Sequence, residues 1–276
     1  MYKMGKIGFS LQENYPLPRQ EVLRLLKEFG FDGISPPWQG KQDLQEIATT
    51  AKTLGLAIHS LHAPHNGVCD LWEQEPGQVM AQMLACLDAC REWNIPILVI
   101  HPWGRYDYIF RKEDLCFDHF DRLTDYAGKI GVKIAFENLQ GPEYLMALLD
   151  RYADNAAVGF CWDLGHEQCY PPPVDLLGKY ADRLIFTHLN DNYGSTGPAI
   201  SSADDLHLLP GDGKADWNVV LQRLKAAAPQ QVLNFELKVR PKPGKCKVDL
   251  YGHLPLKTYL QEAAHRANAF ADQYFA

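Results

Sequence analysis

The chain has 276 residues, 46% of them hydrophobic and 22% charged, enough apolar material for a sizeable core. Its formal net charge of −7 argues against non-specific binding to DNA or to an anionic membrane, which needs a basic surface. No apolar signal core opens the chain, no run of 18 apolar residues follows, and seven cysteines include no CxxC pair, so a cytoplasmic protein without a membrane span is expected.

Strand-like and helix-like runs alternate from end to end. "KIGFSLQ" (6–12) reads as the first strand, and Val22, Leu25, Leu26 and Phe29 then fall at the spacing of one buried helical stripe, stopped at Gly30. "FDGISP" (31–36) is the second strand and 41–55 the second helix, with Leu44, Ile47, Ala48 and Ala51 on one face. Strand three is "LAIHSLHAP" (56–64), with a helix over 76–94 in which Cys86 and Cys90 share a face, as core packing. Strand four is "IPILVIHPW" (95–103), with a helix over 118–129 ending at Gly131. Strand five is "VKIAFENLQG" (132–141), with a helix over 142–155. Strand six, "AVGFCWDLGH" (157–166), leads to a helix over 172–182, and strand seven, "RLIFTHLND" (183–191), to a polar loop and a helix over 216–228. Strand eight is "QVLNFELK" (231–238), and a helix from about Leu256 to Tyr274 closes the chain.

Eight strand–helix units in 276 residues predict an α/β fold of the (β/α)8 TIM-barrel type, one domain spanning 1–276. The strands are continuous apolar runs, as parallel strands covered on both faces should be. A doubly wound open sheet is the structural alternative, but "SLQENYPLP" stands after strand one where a Gly-rich dinucleotide turn would.

In a parallel barrel the reactive groups come from the C-terminal strand ends. In order, those ends carry His62, His101, Glu137, Asp163 with His166, His188, and Glu236, while Asp205 and His207 lie in the loop after strand seven. Taken singly, each has a structural explanation: a hydrogen-bonded histidine, or a glutamate paired with an arginine. Together, six consecutive strands present a metal-capable residue at the same end, and an unpaired carboxylate at the mouth of an apolar strand costs several kcal/mol. A divalent ion is the natural neutraliser, and a mixed nitrogen and oxygen donor set suits Zn, Mn, Co, Ni or Fe, with Mg as a more oxygen-loving alternative. Cys161 and Trp162 beside Asp163 read as packing.

With "HAPH" (62–65), "HP" (101–102), "FEN" (136–138), "DLGH" (163–166), "HLND" (188–191), "PGDGKADW" (210–217) and "FELK" (235–238) in this order, nearly the whole chain resembles the xylose isomerase-like TIM-barrel superfamily. That group includes sugar epimerases, inosose-processing enzymes and the apurinic endonuclease IV family. The resemblance implies one divalent metal ion bound by Glu137, Asp163, His188 and Glu236, with Glu137 and Glu236 also acting as acid and base on opposite faces of a sugar. It implies substrate contact for His166, and His62, His101, His207 and Trp103 are taken as substrate-binding candidates beside it. The activity expected is sugar isomerisation or epimerisation, in which a proton leaves the carbon next to a carbonyl and returns through an enediolate.

The resemblance also carries a second class. The endonuclease members hold up to three zinc ions, and their ligand pattern maps onto His62, His101, Glu137, Asp163, His166, His188, Asp205, His207 and Glu236, all suitably filled. Against it stand the net charge and the strand-three loop "HAPHNGVCD", which lacks the tyrosine that those members use to grip DNA. Ketose 3-epimerases carry an arginine directly after a histidine before the "PGxG" turn, where this chain has His207–Leu208. A non-catalytic metal- or sugar-binding barrel is a third class, in which a full acid–base set would serve no chemistry.

Trp38, Trp72, Trp103, Tyr106 and Tyr108 lie in loops on the same face, suited to sugar C–H surfaces or to loop packing. "KVRPKPGKCK" (238–247) holds five basic residues after strand eight, near where barrels often bind phosphate, and is either a solvated loop or a seat for an anionic sugar. The partner expected is a small-molecule sugar, with no nucleic acid and no membrane; a homo-oligomer is compatible with all of this.

Overall fold

The computed structural model describes residues 7–106, 109–170, 174–197, 200–239 and 249–276. Among the described residues the apolar runs form nine parallel strands: β1 (Ile7–Ser10), β2 (Gly33–Ser35), β3 (Ala57–Ile58), β4 (Leu61–His62), β5 (Ile97–Ile100), β6 (Lys133–Glu137), β7 (Val158–Asp163), β8 (Leu184–His188) and β9 (Leu233–Phe235). Hydrogen bonding orders them β3-β2-β1-β9 and β4-β5-β6-β7-β8. Parallel bridges from Pro37 to His62 and from Leu189 to Phe235 join the two sheets, closing the ring of a TIM barrel.

The helices are α1 (Arg19–Glu28), α2 (Lys41–Leu54), α3 (Val79–Trp93), α4 (Asp118–Ile130), α5 (Pro142–Arg151), α6 (Leu164–Cys169), α7 (Leu176–Lys179), α8 (Trp217–Ala226) and α9 (Leu256–Phe275). They bury their apolar stripes against the outside of the barrel: Val22, Leu25 and Leu26 of α1 and Cys86 and Cys90 of α3 all lie in the main core. Among the described residues, no helix is long and apolar enough to cross a membrane.

Two boundaries differ from the sequence reading in ways that shape the site. The third strand is split at His59 and Ser60: His59 N–H bonds the Ile34 carbonyl on β2, and beyond the break His62 N–H bonds the Pro36 carbonyl on the same side while Ala63 N–H bonds Val99 on β5. The sixth strand, expected to run to His166, ends at Asp163, whose carboxylate accepts the His166 N–H (2.8 Å) and so starts α6 with no intervening loop. The helix expected over 172–182 is reduced to α7, capped by Asp175 at the Gly178 N–H; Pro172 and Pro173 lie outside the described residues.

Strand alternation builds a floor. Val99, Ala135, Cys161 and Phe186 form a separate buried cluster inside the barrel. Each stands two residues before His101, Glu137, Asp163 and His188 respectively, so the same inward face carries an apolar layer and then a layer of chemistry.

Candidate active site

Glu137, Asp163 and His188 arrive from the adjacent strands β6, β7 and β8, and Glu236 from the residue after β9. One donor atom from each of the four lies within 4.8 Å of the others. His188 Nδ1 is 2.8 Å from Glu236 Oε2, 3.2 Å from Glu137 Oε1 and 4.0 Å from Asp163 Oδ2. Glu137 and Asp163 are completely buried, and Glu236 keeps about a fifth of its side chain open to the mouth.

The other expected histidines crowd round the same carboxylates. His62 Nε2 and His101 Nε2 sit 3.2 and 3.3 Å from Glu137 Oε2. His166 Nδ1 lies 3.2 Å from Glu137 Oε1, and its Nε2 lies 3.6 Å from Asp205 Oδ2. His207 Nε2 is 2.8 Å from that same Asp205 oxygen. Two further donor groups result, His62–His101–Glu137 and His166–Asp205–His207. Cys161, read from sequence as packing, also brings its sulfur within reach of Glu137 and His188 from the floor.

The donor set fits a metal ion. Buried Glu137 Oε1, His188 Nδ1, Glu236 Oε2 and His101 Nε2 make no hydrogen bond although they lie this close, because they converge on common space instead of aligning in pairs. Buried polar atoms without partners are costly, and a shared cation satisfies all of them at once. The tautomers agree: Nδ1–H of His62 donates to the Ala63 carbonyl, that of His166 to Asn138 and that of His207 to Glu236. Each Nε2 is left facing the carboxylates of the pocket, Glu137 for His62 and Asp205 for His166 and His207.

Electrostatics separate the carboxylates. Burial pushes every one of them up, but at Glu137 the imidazoles of His188 and His101 outweigh it and hold the carboxyl well below its ordinary value. Burial is outweighed likewise at Glu236, by His188 and His207. Asp163 stays raised, burial exceeding the help it receives from His166. His101 is pushed down by burial despite Glu137.

A second set of residues fixes these groups, and sequence reasoning assigned it no role. Asn138 and the Asp163 main chain bond each other reciprocally at 2.7 Å, tying β6 to β7 at the ligand level. Asn190 Nδ2 donates to both Asp163 oxygens (3.1 and 3.2 Å). It passes so near α6 that a Cβ at Gly165 would come within 1.8 Å of its Oδ1, which is why glycine stands there. Buried Asp191 accepts from the Gly211, Ala215 and Trp217 Nε1 donors, and its main chain pairs with Leu208, so the loop bearing Asp205 and His207 is pinned from below. The signal was present in "FEN" and "HLND", whose amides and aspartate flank the ligands in sequence.

Trp103 is placed differently from the other candidates. Its ring stacks on Tyr144 with centroids 4.0 Å apart, and its Nε1–H donates to the Arg105 carbonyl. Trp72 joins the same aromatic cluster, against Phe117, Phe120 and Tyr144. Tyr170 instead faces the site, 5.2 Å from the His166 ring, with Tyr106 behind it. Of the basic loop 238–247, only Lys238 and Val239 belong to the described residues, as Tyr108 does not.

The family model described as xylose isomerase-like TIM barrel matches residues 23–264. The chain belongs to this family. The uncharacterized protein y4fM of Sinorhizobium fredii is 30% identical over 258 residues, covering 78% of this chain and 79% of that one. The 3-dehydro-D-guloside 4-epimerase of Escherichia coli is 23% identical over 255 residues, covering 85% and 93%. Among solved structures, the IOLI protein with a bound zinc atom superposes with a TM-score of 0.73 at 19% identity, covering 98% of this chain and 99% of that one. The TIM barrel of this family member thus agrees with the fold read from its eight strand–helix units.

Proposed function

We propose that this family member, as one barrel domain over residues 1–276, is a metal-dependent sugar isomerase or epimerase. The carrying observation is the convergence of Glu137, Asp163, His188 and Glu236 donor atoms within 4.8 Å at the barrel mouth, with buried atoms left unpaired. A divalent ion bound there would supply Lewis-acid stabilisation of negative charge developing on a substrate oxygen. The chain's own residues do the rest. Glu236, partly open to the mouth and held ionised, takes the proton from the carbon beside the carbonyl. Glu137, ionised and facing His62, His101 and His166, is placed to serve the other face, with those imidazoles relaying protons to substrate oxygens. The Escherichia coli relative's name points to a sugar carrying a ring ketone, a 3-dehydro glycoside. Leu208, standing where ketose 3-epimerases have an arginine, makes free ketohexoses the poorer candidates.

The test is turnover in deuterium oxide. Protein reconstituted with Mn or Zn is given 3-dehydro glycosides and ketohexoses, and proton NMR follows deuterium entry at the carbon next to the carbonyl. Exchange with inversion is expected for a 3-dehydro glycoside, and its loss in Asp163→Ala along with the bound ion. Wild-type protein that binds no divalent ion, or exchanges no proton in any ketosugar, overturns the proposal.

The second reading, a zinc-dependent apurinic-site endonuclease, is favoured by the two additional donor groups, His62–His101–Glu137 and His166–Asp205–His207. Efficient zinc-dependent incision of abasic duplex DNA would establish it; the charge of −7 predicts negligible cutting.

A further inference from the structure

We propose that the Lys238 ammonium, and not a second metal ion, is the resident cation of the His166–Asp205–His207 group. The inference rests on the reading above, in which an ion occupies the Glu137–Asp163–His188–Glu236 group, and it bears on how many ions the pocket admits.

The three donor groups are not electrically alike. The Glu137–Asp163–His188–Glu236 group offers three carboxylates and one imidazole, so a doubly charged ion there is more than neutralised. The His166–Asp205–His207 group offers one carboxylate and two imidazoles. Its single charge is already answered: Lys238 Nζ lies 3.7 Å from Asp205 Oδ2, the oxygen that also meets His207 Nε2 at 2.8 Å and His166 Nε2 at 3.6 Å. An ion bound to Asp205 would sit about 2 Å from that oxygen, within a few ångströms of the ammonium, and the like charges repel.

Lys238 is not a wandering surface side chain. Its main-chain N–H donates to the His207 carbonyl at 3.0 Å, and only about a quarter of its side chain is exposed. His207 is held in turn with φ +48°, a left-handed conformation rare outside glycine, while its Nδ1–H grips the Glu236 carbonyl at 3.0 Å. Strand end, loop and ammonium are therefore one unit, and the lysine stays beside Asp205. Glu137, Asp163, Asp205 and Glu236 contribute four negative charges; three divalent ions would bring six positive ones before Lys238 is counted. One ion plus Lys238 sums to −1 and two ions plus Lys238 to +1, so the local charge at Asp205 decides, and Lys238 already matches it, leaving Asp205 Oδ1 and His166 Nε2 to hydrogen-bond the hydroxyls of a sugar.

The experiment is site-resolved zinc loading of the full chain. Crystals of wild type, Lys238→Met, Lys238→Gln and Lys238→Arg are soaked in excess zinc and anomalous scattering is recorded. A peak at the Glu137–Asp163–His188–Glu236 group is expected in all four. A peak at His166–Asp205–His207 is expected only in the Met and Gln variants. In solution these should bind one further equivalent of zinc by elemental analysis, and adding His207→Ala to Lys238→Met should remove it. Zinc at His166–Asp205–His207 in wild type, or no added ion in either neutral variant, overturns the assignment while leaving the proposed function standing. An empty Glu137–Asp163–His188–Glu236 group in wild type overturns the functional reading and this inference with it.

Discussion

His59 and His188 are shut away equally, at 2% and 1% exposure, inside one barrel, yet their ionisation moves in opposite directions. Burial lowers His59 to about 4, with Asp32 giving only weak opposition, and neither ring nitrogen has a hydrogen-bond partner. At His188 burial is outweighed by Cys161, Glu137 and Glu236, and the imidazole is held well above its ordinary value. Burial penalises the charged form in both places, and the neighbouring Cys161, Glu137 and Glu236 decide the outcome at His188. The barrel interior thus has two polar regions of different kinds. One, at the strand ends, is built to hold positive charge. The other, where His59 lies against Gly8 and Gly33 near Asn234, is built to stay neutral.

The largest expected effect tests the charged region. Glu236→Gln keeps the size and one acceptor oxygen but removes the base. Turnover should fall by ~10²–10⁴-fold, about 3–5 kcal/mol of barrier, with metal binding at least partly retained. Steady-state kinetics, elemental analysis and deuterium exchange on one preparation check this. A variant that binds metal and turns over at the wild-type rate would reduce Glu236 to a ligand and leave the charged region without its acid–base pair.

The next effect tests the neutral region. His59 is depressed in the folded state from 6.5 to about 4, so its contribution is complete above pH 6.5 and is lost progressively as pH falls towards 4, where the unfolded chain alone takes up the proton. Over that window the loss amounts to roughly 3 kcal/mol. Urea unfolding of wild type and His59→Leu at a series of pH values isolates it, because acid acts on the strand-end carboxylates in both proteins alike. The wild-type curve should fall more steeply; parallel curves would mean that His59 charges as readily in the folded protein as in the unfolded chain.

A smaller effect concerns how the charged region is held. Asn190→Leu removes both amide hydrogen bonds to Asp163, a carboxylate already raised by burial. Partners of this kind typically account for about 10–100-fold in metal affinity. Competition with a fluorescent chelator should show a loss in that range, with the fold intact by circular dichroism. Unchanged affinity would show that Asp163 is positioned by Asn138 and the strand alone.

How much of this was legible follows from where each signal lies. Glu137, Asp163, His188 and Glu236 each end an apolar run, and the parallel-barrel rule brings such ends together, so ring membership could be read from the strands. Asp163 is also the cap of α6, and a strand passing straight into a helix leaves no loop composition to detect; His166 was therefore placed on a strand. His59 and His62 are three residues apart, opposite faces for an unbroken strand, and the break at His59–Ser60 is written in no local pattern. Lys238 was grouped with the basic loop that follows it, since its approach to Asp205 crosses from one loop to another. Trp103 stood in a loop on the right face, but Tyr144, 41 residues on, captures its ring.

The smallest effect asks whether the neutral region is kept neutral by close packing. Gly8 stands on β1 between Ile7 and Phe9, which pack outward into the main core, so its own Cα faces the barrel interior. A Cβ there would lie 2.6 Å from His59 Nδ1 and 2.7 Å from Asn234 Oδ1, well inside contact distance. Gly8→Ala must therefore push the ring or the amide aside. Asn234 resists, because its Nδ2 donates to Ser10 and its Oδ1 accepts from Ser35, so the ring is the part that yields. Overpacking by one methyl should cost about 1–2 kcal/mol in urea unfolding, at the low end of the usual range, with kcat/KM unchanged because no strand-end group moves. A double-mutant cycle locates the clash: in a His59→Ala background the ring contact is gone and only the 2.7 Å approach to Asn234 Oδ1 remains, so Gly8→Ala should cost clearly less than in wild type. An equal cost in both backgrounds would mean that the ring does not lie against Gly8. The depressed ionisation of His59 would then need a cause other than the dry, close contact that separates it from His188.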